Sequence, residues 1–191
     1  MIPASAGNIG PLRSPQSITM IILHSAETGE TPTAAEGVGR YFASGSGGRS
    51  ASAHYTCDNN STVQSVPELR LSWGVIGFNR EAIHVEQAGV AKQTLVQWAD
   101  AYSKTMIDQQ VVPLLGDILR RRPTIAHQWL TVTMLADAIR KGRTPSGMTT
   151  HANCTEAARI TGMRQSGHTD PGPGYPTAAV FSAAVVRSLR P

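Results

Sequence analysis

The stretch Ile18-Thr19-Met20-Ile21-Ile22-Leu23-His24 decides the fold. Ile18, Met20 and Ile22 alternate with Thr19, Ile21 and Leu23, so both faces of the stretch are mostly apolar. A strand that is apolar on both faces belongs inside a sheet that is covered on both sides. It ends on an imidazole. In layered α/β folds, a polar side chain at the C-terminal end of a buried strand stands where ligands bind.

The chain around this strand alternates in type. Thr31-Pro32 and the capping box Thr33-Ala34-Ala35-Glu36 open a helix expected to reach Ala43. Ser44–Ser52 is rich in Gly and Ser and reads as a loop. Ala53–Cys57 and Thr62–Val66 read as a hairpin around Asp58-Asn59-Asn60-Ser61, and Pro67–Arg80 as irregular chain. In Ala82–Gln87, Ile83 and Val85 share one face while His84 and Glu86 share the other. Thr94 is expected to open the longest helix, with Leu95, Trp98, Ala99, Tyr102 and Met106 as its buried stripe. Pro113 kinks or restarts it before Arg120-Arg121-Arg122. Thr124–Gln128 reads as a short strand, Thr133–Lys141 as a helix closed by Gly142, and Gly142–Thr150 as a loop. Ala152–Arg159 and Thr177–Leu189 read as the last helices. The order implies an α/β fold, a mixed central β-sheet of about five strands flanked by helices.

A length of 191 residues suits one domain. Residues 1–17, punctuated by Pro3, Gly7, Gly10, Pro11 and Pro15, read as an irregular lead-in, and 18–191 as the domain. The start lacks the apolar core of a signal peptide, so synthesis in the cytoplasm without one is expected. No apolar run approaches the roughly 18 to 20 residues of a membrane span, so no membrane insertion is expected. Only Cys57 and Cys154 are present, which excludes a disulfide scaffold. The net charge of +4 points to an anionic partner such as a cell wall, nucleic acid or a membrane surface. The arginines are scattered apart from one triplet and no aromatics interleave them, so nucleic-acid binding is not expected.

Chemistry concentrates in three of the six histidines. His24 ends the buried strand, His151 ends a Gly- and Thr-rich loop, and His168 lies in Gly167-His168-Thr169-Asp170-Pro171-Gly172-Pro173, whose prolines fix the pose of a carboxylate. Two neutral imidazoles and one carboxylate are a ligand set for catalytic Zn²⁺, which takes three protein ligands and keeps one position open. The separations, 151 − 24 = 127 and 170 − 151 = 19, are too long to be diagnostic alone. Cys154, three residues after His151, is an alternative ligand if that segment is helical. Its other reading is a small buried hydrophobe.

Taken together, Ile21-Ile22-Leu23-His24-Ser25-Ala26, Ser52-Ala53-His54-Tyr55, Ile83-His84-Val85-Glu86, Thr150-His151 and Thr169-Asp170-Pro171-Gly172-Pro173 resemble the type-2 N-acetylmuramoyl-L-alanine amidases. That family includes phage endolysin amidase domains and is related to peptidoglycan recognition proteins. The resemblance covers about residues 18–190 and implies the amidase fold. It implies Zn²⁺ held by His24, His151 and Asp170, with Glu86 as the general base. It also implies hydrolysis of the amide between N-acetylmuramic acid and L-alanine in peptidoglycan, by a chain expected to be monomeric and to act on the bacterial wall after release.

Three positions depart from the family. Trp73-Gly74 stands where relatives often carry Trp-His, and His84 is a candidate to make up for the missing imidazole. His168 stands where many relatives carry a Lys that stabilises the oxyanion, which assigns it that role as a neutral donor. Ala53 stands where other phage relatives carry Tyr, although Tyr55 follows. His54, Tyr55, Trp73, Asn79 and His84 are the candidates for substrate contact. Two other readings are a recognition module that binds peptidoglycan without cutting it and a cytosolic amidase that recycles wall fragments. The presence of all three ligand positions and Glu86 disfavours the first.

Overall fold

In the computed structural model, which describes residues 1–190, five strands form one sheet. They are β1 (Met20–Leu23), β2 (Tyr55–Cys57), β3 (Thr62–Gln64), β4 (Ala82–Gln87) and β5 (Gly147–Thr150). Their order is β3-β2-β4-β1-β5. Only β3 runs antiparallel to its neighbour; β2, β4, β1 and β5 are parallel. The mixed five-stranded sheet is therefore as expected, with one exchange. Thr124–Gln128 is not a strand, and the fifth strand lies inside the segment read as a loop. It is four residues long and opens on Gly147, where a Cβ would come 2.5 Å from the Gln128 carbonyl oxygen. The backbone beyond Gln128 does pair with it, since the Leu130 amide donates to the Met148 carbonyl.

The helices are α1 (Ala34–Ala43), α2 (Ala101–Met106), α3 (Val112–Arg121), α4 (Val132–Arg140), α5 (His151–Thr161) and α6 (Thr177–Ser188). One sheet face, carrying Ile21, Leu23, Ile83 and Val85, packs against Leu115, Ile118 and Leu119 of α3 and Val180 and Ala184 of α6. The other face buries Met20 and Ile22 against Leu135 and Ala136 of α4 and Cys154 and Ala157 of α5. Each such aliphatic side chain contributes about 1.5–3 kcal/mol on burial. Val38 and Phe42 of α1 make a third cluster with Ala53 and Val66. The strict alternation in β4 leaves His84 and Glu86 on the face shared with Ile22.

Local signals were partly redirected. The expected capping box of α1 does not form; Thr33 makes no side-chain cap, and Asp58 of the hairpin turn accepts the Ala35 amide at 3.0 Å. The same carboxylate accepts the Asn60 and Ser61 amides, so it ties turn and helix together. The long helix starts at Ala101, not Thr94, because Asp100 caps it by accepting the Ser103 amide. Leu95 is consequently exposed, while Trp98 is buried. A π-helical turn, Ile107–Val111, joins α2 to α3, and Pro113 follows it directly, so the expected disturbance at the proline is a π turn inside one continuous helix and not a break. The lead-in carries short 3₁₀ turns, yet it is bound to the sheet. The Ile2 and Ala4 amides donate to the Gln64 and Ser65 carbonyls, and Arg13 donates to the carbonyls of Glu68, Asn79, Arg80 and Ala82.

Candidate metal centre and cleft

Three neighbouring parallel strands each deliver one functional side chain at the C-terminal edge of the sheet. His24 follows the last residue of β1, His151 follows the last residue of β5, and Glu86 lies near the end of β4. Leu23 pairs in register with Thr150, which brings His24 and His151 side by side, their ring centroids 4.9 Å apart. The Thr150 hydroxyl caps α5 by accepting the Asn153 amide, and so fixes His151 in the first helical position.

Asp170 reaches the same point from the loop before α6. Its carbonyl accepts the Ala152 amide at the start of α5, and the Asp170–Pro171 peptide bond is cis. Gly172 holds φ +83°, and any Cβ there would overlap the Ala91 carbonyl oxygen, so glycine is required for the loop to lie this close.

His24, His151 and Asp170 are all buried and present ligand atoms within 4.8 Å of one another. His24 Nδ1 lies 3.0 Å from Asp170 Oδ2, and His151 Nδ1 lies 3.2 Å from Asp170 Oδ1. Burial alone would raise the Asp170 carboxyl, but hydrogen bonds from His151, His168 and His24 hold it well below the usual carboxylate range. Burial opposes charge on His24 too, yet Glu86 and Asp170 outweigh it and raise its pKa. Burial lowers His151. Two imidazoles and a carboxylate with inward atoms suit a divalent cation of borderline softness, and each ring is backed from behind. His24 Nε2 lies 3.0 Å from His84 Nδ1, and His151 Nε2 lies 3.1 Å from the Ser166 hydroxyl. Cys154 is not in the group. It is fully buried among Met20, Ile22 and Ala157, and burial pushes its thiol up.

Glu86 stands beside this group, its Oε1 4.0 Å from His24 Nδ1. Its Oε2 is buried and meets no hydrogen-bond donor among the described residues. Burial, against the opposing pull of His24, pushes its carboxyl up to about 7. His168 stacks on His151 with ring centroids 5.0 Å apart and is largely exposed to the cleft. Its Nδ1 is 3.6 Å from Asp170 Oδ1, and that carboxylate raises its pKa.

These residues floor a cleft of about 900 Å³. Of the candidates for substrate contact, Trp73 and Asn79 line it, and Asn79 Oδ1 accepts the Gly74 and Val75 amides, which shapes the loop. Three expected substrate contacts are elsewhere. His54 is fully buried beneath the Pro67–Arg80 segment. Its Nδ1 accepts the His84 amide and its Nε2 meets the Arg70 carbonyl, while burial and Arg13 lower its pKa to about 3. Tyr55 points to the opposite sheet face, where its hydroxyl donates to Glu68, itself clamped by Arg121 and Arg122. His84 is fully buried behind His24. The sequence reading missed Arg49, Arg164 and Tyr41, which all line the cleft. A lone Arg49 inside the Gly/Ser loop was the one signal available.

Comparison with known proteins agrees with this geometry. A family model described as N-acetylmuramoyl-L-alanine amidase matches residues 14–173. Comparison with curated protein sequences gives no match. Among solved structures, the fold resembles a Staphylococcus aureus hydrolase, AmiA, solved with its ligand, at TM-score 0.63 and 15% identity, over 94% of this chain and 78% of that one. It also resembles AmpD at TM-score 0.58 and 19% identity, covering 96% and 92%. A mutant endolysin from Bacillus subtilis gives 0.54 and 14%, covering 97% and 95%. At these identities the likeness concerns the fold.

Proposed function

The chain belongs to the N-acetylmuramoyl-L-alanine amidase family, and from that premise we propose that it is a zinc hydrolase of peptidoglycan. It cuts the amide between the lactyl group of N-acetylmuramic acid and L-alanine. The observation that carries this reading is the meeting of His24, His151 and Asp170 with Glu86 on the floor of one open cleft. His24, His151 and Asp170 hold the metal. Bound there, Zn²⁺ supplies polarisation of the scissile carbonyl and lowers the pKa of a water.

The chain's own groups do the rest. Glu86, its carboxylate beside the ligand group, takes a proton from the attacking water and passes it to the leaving amine nitrogen. His168, at the exposed edge of the centre, donates toward the oxyanion of the tetrahedral intermediate. Trp73 and Asn79 border the channel that takes glycan and peptide. Residues 18–191 form the catalytic domain, with the lead-in braced against it, and the chain works as a monomer. Among the described residues no helix is long and apolar enough to cross a membrane. The role is that of an endolysin acting on the intact wall, with recycling of small fragments as the second reading, and the cleft of about 900 Å³ takes the glycan-peptide substrate.

The test is digestion of purified cell walls with metal-loaded protein. New amino termini of L-alanine, without new reducing sugars, are the expected products. Release of reducing sugars instead, or no release by zinc-loaded protein, would overturn the assignment.

A further inference from the structure

His84 belongs to no part of the mechanism above, yet its ring is held between His24 and Gly74. The ring is fully buried on the cleft side of the sheet, behind His24. Its Nδ1 lies 3.0 Å from His24 Nε2. Its Nε2 is buried with no hydrogen-bond partner among the described residues. The ring lies nearly parallel to that of His54, centroids 5.9 Å apart, and the His84 amide donates to His54 Nδ1. On the cleft side it rests against Gly74. A Cβ at position 74 would come 2.5 Å from His84 Nδ1 and 2.6 Å from its Cγ, closer than such atoms approach.

From this geometry we propose that His84 is the positioning residue of the metal centre, and that Gly74 is glycine in order to leave room for it. The inference rests on the metal reading given above. A neutral imidazole carries one ring proton. His24 presents Nδ1 to Asp170 in the ligand group, and Nδ1 must be bare to ligate. Its proton then sits on Nε2, and the group facing Nε2 is His84 Nδ1, which must accept it. That choice sends the proton of His84 to its own Nε2, the nitrogen with no partner. One unpaired buried N–H on His84 is therefore tolerated so that His24 is locked in the ligating tautomer and orientation. Outer partners of metal-ligating histidines typically change metal affinity by about 10- to 100-fold.

The test measures zinc affinity by competition with a chromophoric chelator, and ring protonation by ¹⁵N NMR of zinc-loaded protein. His84→Leu, which keeps bulk and removes the acceptor, is expected to bind zinc about 10- to 100-fold more weakly. His84→Asn, whose Oδ1 stands where Nδ1 stood, is expected to recover most of that loss. Gly74→Ala, which touches no ligand, is expected to weaken zinc as well. In a His84→Ala background, where the space is vacated, Gly74→Ala is expected to add nothing further. In the unmutated protein the spectra are expected to show His84 protonated on Nε2 and bare on Nδ1. Unchanged affinity in a folded His84→Leu, or His84 protonated on Nδ1 with zinc bound, overturns the proposal while leaving the metal reading standing. An unmutated protein that binds no zinc overturns both.

Discussion

Replacing Glu86 by Gln is expected to make the metal-free protein more stable while removing its activity. The carboxyl rises from an ordinary 4.5 to about 7 because it is buried and its Oε2 finds no donor. At about 1.4 kcal/mol per pH unit, that rise corresponds to about 3 kcal/mol of preference for the neutral form. Proton counting sets the sign. Between pH 4.5 and 7 the folded protein keeps a proton that the unfolded chain has lost, so stability falls as pH rises through that window. Above pH 7 the whole penalty is present, and below pH 4.5 it is absent. The neutral amide of the Glu86→Gln variant carries no such penalty. Urea unfolding in excess chelator should therefore find Glu86→Gln more stable than the unmutated protein by about 2–3 kcal/mol at about pH 8. With a slope of about 2 kcal/mol/M, this moves the midpoint by about 1 M. At about pH 4.5 the two midpoints should nearly coincide, since His24, His168, Asp170 and Glu27 are common to both. In the zinc-loaded protein the same change should keep the metal and lower turnover by about 10²–10⁴-fold. Equal stability at about pH 8 would refute the claim that Glu86 is held against its charge. Near-normal turnover would refute its role as base.

Purified protein should carry about one zinc per chain, and His24→Ala or His151→Ala should lose most of it by metal analysis; full occupancy in both would move the ligand set elsewhere. His168→Ala should lower kcat by about 10- to 100-fold with zinc retained, and His168→Lys should keep substantial activity, since one oxyanion donor is lost in the first and kept in the second. Unchanged kcat in His168→Ala would leave that ring as support for the Asp170 loop. Gly172→Ala forces a side chain into the left-handed region and onto the Ala91 carbonyl, so it should destabilise by about 1–3 kcal/mol or more and lower the melting temperature; a melting curve equal to the unmutated one would show that the loop yields.

The centre of the fold was legible because its signals are dense. Both faces of Met20–Leu23 are buried, and the alternation in Ala82–Gln87 sorts core from site residue by residue. The fifth strand was not legible. Gly147-Met148-Thr149-Thr150 has no period to read, and its glycine serves a close approach to Gln128 that no local rule reveals. The capping signal before α1 misled because a partner 23 residues away, Asp58, took the amide instead. Among candidate site residues, face parity succeeded and depth failed. His54, His84 and Glu86 do share a face, but only Glu86 reaches the cleft, since Pro67–Arg80 covers the other two, and no strand pattern announces what an irregular segment will cover. His84 and Gly74, which the sequence linked only through a missing imidazole, lie against each other in the fold.

The order of strands also bears on how the molecule reaches its working state. His24, Glu86, His151 and Asp170 come from four separate parts of the chain; the ligand set needs β1 paired with β5, and Glu86 joins it only when β1 also pairs with β4. Each of those pairings joins segments distant in sequence, so each carries the entropic cost of closing a long loop. Nonlocal parallel pairings of this kind form late and slowly. Metal capture is thereby deferred until β1 and β5 have paired and the Asp170 loop has docked. A chain that has not made that pairing would be inert, and the appearance of tight zinc binding during refolding would time the closing of β1 onto β5.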